Sequence, residues 1–116
     1  MSVLKMIAKR PDTKPYVTNI SDTLENLQKF VGGYIEVVTL CPQVIDDNFE
    51  CTVPGLVVIC NEEGRLKGME YNCEIDGVDY VGDILIAGTK GDEFCDIPVD
   101  FQEFKRMFPE LWEEVD

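Results

Sequence analysis

The 116-residue chain contains no histidine. No Ser-His-Asp triad and no imidazole-bearing metal site can be built from it. Basic residues are scarce as well: ten Lys and Arg stand against 23 Asp and Glu, for a net charge of −13. A protein that holds nucleic acid by neutralising phosphates needs a surplus of cations, so direct nucleic-acid binding is not expected. No apolar stretch approaches the ~20 residues of a membrane helix. The opening segment MSVLKMIAKRPDTKP has no signal-peptide core, so no membrane association is expected. The five cysteines (Cys41, Cys51, Cys60, Cys73 and Cys95) are odd in number and contain no Cys-x-x-Cys pair. A disulfide framework would leave one thiol over, which points to a reducing cytoplasm. A thiolate metal site lacks its usual spacing.

Catalytic patterns are missing too. There is no nucleophile elbow and no phosphate-cradling glycine loop. Asp46, Asp47 and Glu50 do not follow the Asp-x-Asp-x-Asp-Gly order of a calcium loop. The adjacent pairs Asp46-Asp47 and Glu62-Glu63 fall on expected turns, where solvent keeps carboxylates ordinary. Neither an enzyme nor a bound cofactor or metal is expected.

What the chain does have is 45% hydrophobic residues, enough for one core in a single domain spanning 1–116. Its charge is unevenly spread. Residues 1–40 carry five basic and four acidic side chains; residues 41–116 carry five basic and nineteen acidic, a balance of −14. Such a surplus serves solubility, or it presents a negative surface to a basic groove in the manner of a nucleic-acid mimic. For the second role the candidates are the acidic loops: Asp46, Asp47, Glu62, Glu63, Asp92 and Glu93.

The hydrophobic pattern predicts an α+β fold. Val3–Ala8 and Tyr16–Ile20 read as a strand pair joined through a Pro-containing turn. Asp22-Thr23-Leu24-Glu25 has capping-box form, and Leu24, Leu27, Phe30 and Val31 recur at helical spacing up to Gly32-Gly33, giving a helix over 22–31. Tyr34–Leu40 is a clear strand, 41–55 a loop, and Leu56–Cys60 a strand apolar at every position, hence buried on both faces. Asn61–Gly64 reads as a four-residue hairpin turn with Gly64 left-handed, and Arg65–Met69 as its returning strand with Leu66 inward. Asp76-Gly77 and Thr89–Asp92 mark further hairpins around a central Asp83–Gly88 strand. A last helix follows Pro98, ending near Pro109, with Leu111-Trp112 back in the core and Glu113–Asp116 an acidic tail. The expected result is a mainly antiparallel sheet with an N-terminal β-β-α-β unit, a strand meander and a C-terminal helix, the helices packed on one face.

Three short blocks carry a family likeness. Leu27-Gln28 followed by Val31-Gly32-Gly33-Tyr34-Ile35-Glu36-Val37-Val38, then Asn61-Glu62-Glu63-Gly64 with Leu66-Lys67-Gly68 and Asn72, then Asp83-Ile84 with Ala87-Gly88-Thr89, occur in that order. Together they resemble the domain of unknown function 3846 family. Cys73 follows Asn72 where that pattern carries a basic residue. The resemblance implies a phage, prophage or mobile-element setting, and no established chemistry. In that setting the expectation is an accessory protein that acts by binding. Its partner would be a host defence or nucleic-acid-handling protein whose Lys/Arg-lined groove it occludes. The alternative is a small-molecule sponge or sensor for a nucleotide-like ligand. Its pocket would draw on Glu36, Asn72, Asp83 and Thr89, with Arg65 and Lys67 as the one clustered basic pair near the blocks.

Overall fold

A computed structural model describes residues 2–113. Its elements are β1 (Val3–Lys9), β2 (Tyr16–Ser21), α1 (Leu24–Val31), β3 (Ile35–Cys41), β4 (Val44–Ile45), β5 (Cys51–Val53), β6 (Gly55–Asn61), β7 (Tyr71–Ile75), β8 (Val78–Val81), β9 (Ile84–Lys90), β10 (Glu93–Cys95), α2 (Phe101–Met107) and α3 (Glu110–Glu113). The main sheet runs β2-β1-β9-β6-β3, with β10 pairing the far end of β9, and every pairing is antiparallel. The fold is therefore α+β on a mostly antiparallel sheet.

The centre of the sheet is apolar on both faces. All seven residues of β6 are buried, and so are Ile84–Gly88 of β9. Alternation splits them cleanly. Ile7, Leu56, Val58, Cys60, Ile84 and Ile86 face one core, while Met6, Ala8, Val57, Ile59, Leu85 and Ala87 face another. Each aliphatic side chain so buried contributes about 1.5–3 kcal/mol, provided something covers it.

The covers differ. Leu27 and Val31 of α1 close the second core. The first is closed by Cys73, Ile75 and Tyr80 of the β7–β8 hairpin, with Phe104, Phe108 and Leu111 from the C-terminal segment. Phe104, Phe108, Phe101 and Trp112 stack there in tilted and edge-on pairs 5.2–6.1 Å apart. Helices thus lie on opposite faces, which corrects the one-face expectation. A sheet with no polar face cannot leave either side to water.

Local chemistry shifts several boundaries. Thr23, not Asp22, caps α1: its hydroxyl accepts from the Asn26 amide, and the helix starts at Leu24. Gly32 at φ +82° ends it, its amide donating to the Gln28 carbonyl. The expected 41–55 loop contains a small hairpin, β4–β5. The Asp76-Gly77 turn joins β7 to β8 with both residues at positive φ, as a two-residue hairpin requires.

The expected strand over Arg65–Met69 does not form. Residues 62–68 fold into consecutive turns, and Leu66 is 88% exposed rather than inward. The Asn61 carboxamide starts this course by accepting from the Glu63 amide. Then Lys67 N donates to Glu63 O, Gly68 N to Arg65 O and Met69 N to Gly64 O. Glu, Arg, Leu and Lys favour such helical turns over extended chain. The positive φ belongs to Gly68, not to Gly64. Of the expected acidic tail, Glu113 ends α3 and 114–116 lie outside the described residues.

One polar clamp fastens the hairpin to the sheet. Lys9, 2% exposed, donates from Nζ to Asn72 Oδ1 at 2.9 Å, and Asn72 Nδ2 donates to the carbonyls of Lys9 (2.8 Å) and Gly82 (2.7 Å). Removing the carboxamide leaves the buried ammonium only its longer bond, 3.4 Å to the Arg10 carbonyl. Asn72→Ala is expected to cost roughly 2–4 kcal/mol of folding free energy, read from urea unfolding. A loss below about 1 kcal/mol would mean the ammonium finds another acceptor.

Candidate functional site

The six acidic candidates do not share one place. Cys41 pairs with Leu56 and Thr89 with Gly55, so the chain leaving β3 and the β9–β10 turn emerge at the Gly55 end of β6. Asn61 pairs with Ile35 at the other end. Asp46, Asp47, Asp92 and Glu93 therefore stand at one end of the sheet and Glu62 and Glu63 at the opposite one. Seven strand residues separate them by roughly 20 Å, well beyond the ~8 Å screening length at physiological salt. A single face built from all six is not present.

The Gly55 end is nevertheless organised. The Gln43 side chain grips the β9–β10 turn, donating to the Gly91 carbonyl at 2.9 Å and accepting from the Gly91 amide at 2.7 Å. This locks the base of the β4–β5 hairpin beside Asp92 and Glu93. At the hairpin tip Asp46 is a builder rather than a contact. Its Oδ1 accepts from the amides of Asn48 and Glu50, both at 2.9 Å, and its carbonyl accepts from the Phe49 amide. These bonds hold Phe49 at φ +63° with 91% of its surface in solvent. Val44, Ile45 and Val53 on the same hairpin are also about half exposed. Asp47, Glu50, Asp92 and Glu93 are exposed around them.

Of the ligand candidates, only Glu36 and Arg65 meet. Both line a cleft of about 240 Å³ bounded by β3, β8 and the 62–68 turns, together with Val38, Cys60, Glu62 and Tyr80. The other four lie outside its lining. Asn72 is the buried clamp already described. Asp83 faces Arg10, 3.9 Å away, on the α1 side of the molecule, where Arg10 also lies over the Phe30 ring. Thr89 packs on Gly55, where a Cβ would come within 2.7 Å of its hydroxyl. The Lys67 ammonium reaches toward Gly33.

The cleft has a charged mouth and a buried floor. Glu36 is exposed, and its carboxylate and carbonyl receive the Cys60 thiol at 3.8 and 3.7 Å. Arg65 is held across the cleft by donating from Nη2 to the Asp79 carbonyl at 2.9 Å. Tyr80 is 3% exposed, and its buried hydroxyl has no hydrogen-bond partner among the described residues. Burial pushes the Cys60 thiol up to about 11, with the Glu36 carboxylate adding to the effect. Burial likewise pushes Tyr80 up to about 12, reinforced by Cys60, Cys73, Glu36 and Asp76. Both groups are neutral at pH 7.

The sequence reading missed Cys60 and Tyr80 as partners of Glu36, and Phe49 altogether. The signal for Phe49 was present as a lone aromatic among Asp46, Asp47, Asn48 and Glu50. Nothing in the sequence brings Tyr80 to Glu36, because that meeting depends on the hairpin folding over the sheet.

Because both folded-state values are raised, the stabilisation is whole below the ordinary values of 9.0 and 10.0. It is lost as pH climbs through about 11 and about 12. Each group contributes on the order of 1–3 kcal/mol to that loss. Urea unfolding of Cys60→Ala should therefore show a shallower decline than wild type between roughly pH 9 and 11. Parallel curves over that range would place the thiol in an unperturbed setting.

The family model described as a domain of unknown function, DUF3846, matches residues 4–109. No curated protein and no solved structure matches the chain. All three sequence blocks lie inside the matched span, and they resolve into linked parts of one scaffold. Asn61 donates to the Val31 carbonyl at the end of α1, against Gly33, where a Cβ would come within 2.8 Å of the carboxamide nitrogen. The Glu62 amide donates to the Tyr34 carbonyl. Since the match covers nearly the whole domain, the chain belongs to the DUF3846 family.

Proposed function

We propose that the chain is a non-catalytic binding protein. It docks on a basic, pocketed partner protein through the end formed by the β4–β5 hairpin and the β9–β10 turn. The observation that carries this is Phe49. A large aromatic side chain almost wholly in water forfeits its burial energy, and a non-glycine residue in the left-handed region costs about 1–2 kcal/mol more. Neither cost helps the isolated fold. Both are explained if Phe49 is an anchor for a partner's apolar pocket, held ready by the Asp46 turn.

The surroundings suit a basic rim on the partner. Asp47, Glu50, Asp92 and Glu93 flank the apolar tip and would steer a Lys/Arg-lined groove toward it. The family resemblance suggests a phage or mobile-element setting. There the partner would be a host defence or nucleic-acid-handling protein, its phosphate groove occluded by these carboxylates. Glu62 and Glu63, at the opposite end, take no part.

Capture from host lysate across a salt series tests this end of the molecule. Phe49→Ala should weaken capture of the partner at least about tenfold, in the range of an anchor residue. Reversing Asp92 and Glu93 to Lys should weaken it most at low salt, where screening is least. Reversing Glu62 and Glu63 to Lys should leave it unchanged. Phe49→Gly should raise folding stability by about 1 kcal/mol while abolishing capture. Full capture by Phe49→Ala, with loss on reversing Glu62 and Glu63, would move the docking surface to the other end.

A further inference from the structure

The cleft at the other end of the sheet has features that docking at the hairpin does not use. We infer that it binds a small organic cation bearing N–H donors, a primary ammonium or guanidinium group, held by the Tyr80 hydroxyl and the Glu36 carboxylate.

The first ground is the Tyr80 hydroxyl. A buried polar group without a partner is destabilising, and native folds rarely keep one without a use. Tyr80 lines the cleft. Its hydroxyl is close enough to Cys60 and Glu36, which line the same cleft, for both to raise its pKa. No donor among the described residues occupies its lone pairs.

The second ground is charge. Glu36, Glu62 and Asp79 border the cleft against a single cation, Arg65, whose Nη2 is already committed to the Asp79 carbonyl. An entering anion would meet the same negative field that helps keep Cys60 and Tyr80 protonated. A cation is drawn in by it. This reverses the sign of the nucleotide-like ligand anticipated from sequence, for which Arg65 and Lys67 were the one clustered basic pair near the blocks. A metal ion is a poor fit, since no three ligating Cys, Asp or Glu side chains converge among the described residues.

The third ground is size. About 240 Å³ lies below the roughly 300–1,000 Å³ of drug-sized sites and suits a head group on a short aliphatic stem. Val38, Val78 and Val81 offer the stem an apolar wall. Such a group arrives either as a free amine or as a Lys or Arg side chain.

NMR titration of the full chain with butylamine and agmatine tests the inference. N-acetyl-lysine amide and N-acetyl-arginine amide stand for the side-chain source, and adenosine monophosphate serves as the anionic control. Saturable shifts at Val38, Val81 and Tyr80 are expected below roughly 10 mM cation, where even weak sites saturate, and none with the nucleotide. Binding of the free amines alone assigns a small metabolite; equal binding of the amino-acid amides assigns a protein side chain.

Tyr80→Phe should weaken binding about tenfold or more while its melting temperature stays level or rises, because the hydroxyl is unpaired without ligand. Glu36→Gln should weaken binding similarly, and Phe49→Ala should not change it. The assignment fails if no cation saturates or if the nucleotide binds instead. It fails equally if Tyr80→Phe melts at a clearly lower temperature, since the hydroxyl would then serve the fold.

Discussion

Two-sided burial of β6 and β9 is the constraint from which the rest of the architecture follows. Neither strand has a polar face at its centre, so the sheet can exist in water only as a middle layer. One helix is enough for the face carrying Val57, Ile59, Leu85 and Ala87. The face carrying Val58, Cys60, Ile84 and Ile86 takes the β7–β8 hairpin and the aromatic cluster of the C-terminal segment. The chain order then makes sense. After α1 has crossed one face, β7, β8 and the C-terminal helices close the other, and β9 completes the sheet between β1 and β6.

Closing a sheet with a hairpin rather than a helix brings backbone over an apolar surface, and its polar groups must be satisfied. Asn72 does this work for the hairpin, and Asn61 does the like for the turns that precede it. Asn72 links Lys9 and Gly82 across the first core, and Asn61 joins the end of α1 to the turns after β6. Each side chain engages both its oxygen and its nitrogen, which is why asparagine, carrying a donor and an acceptor on one short stem, stands at both places. Within the family blocks these two residues accordingly serve assembly of the fold. Gly33 belongs with them, since its missing Cβ is the space that the Asn61 carboxamide occupies.

The groups left over by this scaffold lie at its two ends. At one end the β4–β5 hairpin pairs only with itself among the described strands and carries Phe49 in a strained, solvent-facing position. At the other the cover meets β3 imperfectly and leaves a cleft with a buried hydroxyl and a ring of carboxylates. The negative charge is thus divided rather than pooled. The roughly 20 Å between the ends exceeds the screening length, so the two groups are electrostatically independent.

Much of this was determined by the sequence alone. Uninterrupted apolar runs mark β6 and β9 as central, the Gly32-Gly33 pair marks the end of α1, and Asp76-Gly77 marks the β7–β8 turn. Each is a local steric or burial requirement that residues meet with their immediate neighbours. The same holds for the absence of histidine and the acidic surplus, which depend on composition. Strand order, the placing of helices on both faces and the non-strand course of residues 62–68 were decided by tertiary structure. Leu66 shows why: in sequence it alternates as an inward strand residue, yet Asn61 turns the backbone before a strand can start, and the side chain ends in solvent. The side-chain groupings belong to the same class. Which carboxylates stand together is settled by strand direction, a long-range property. The meeting of Glu36, Cys60 and Tyr80 arises only when a hairpin distant in sequence folds across the sheet to bury what the central strands cannot expose.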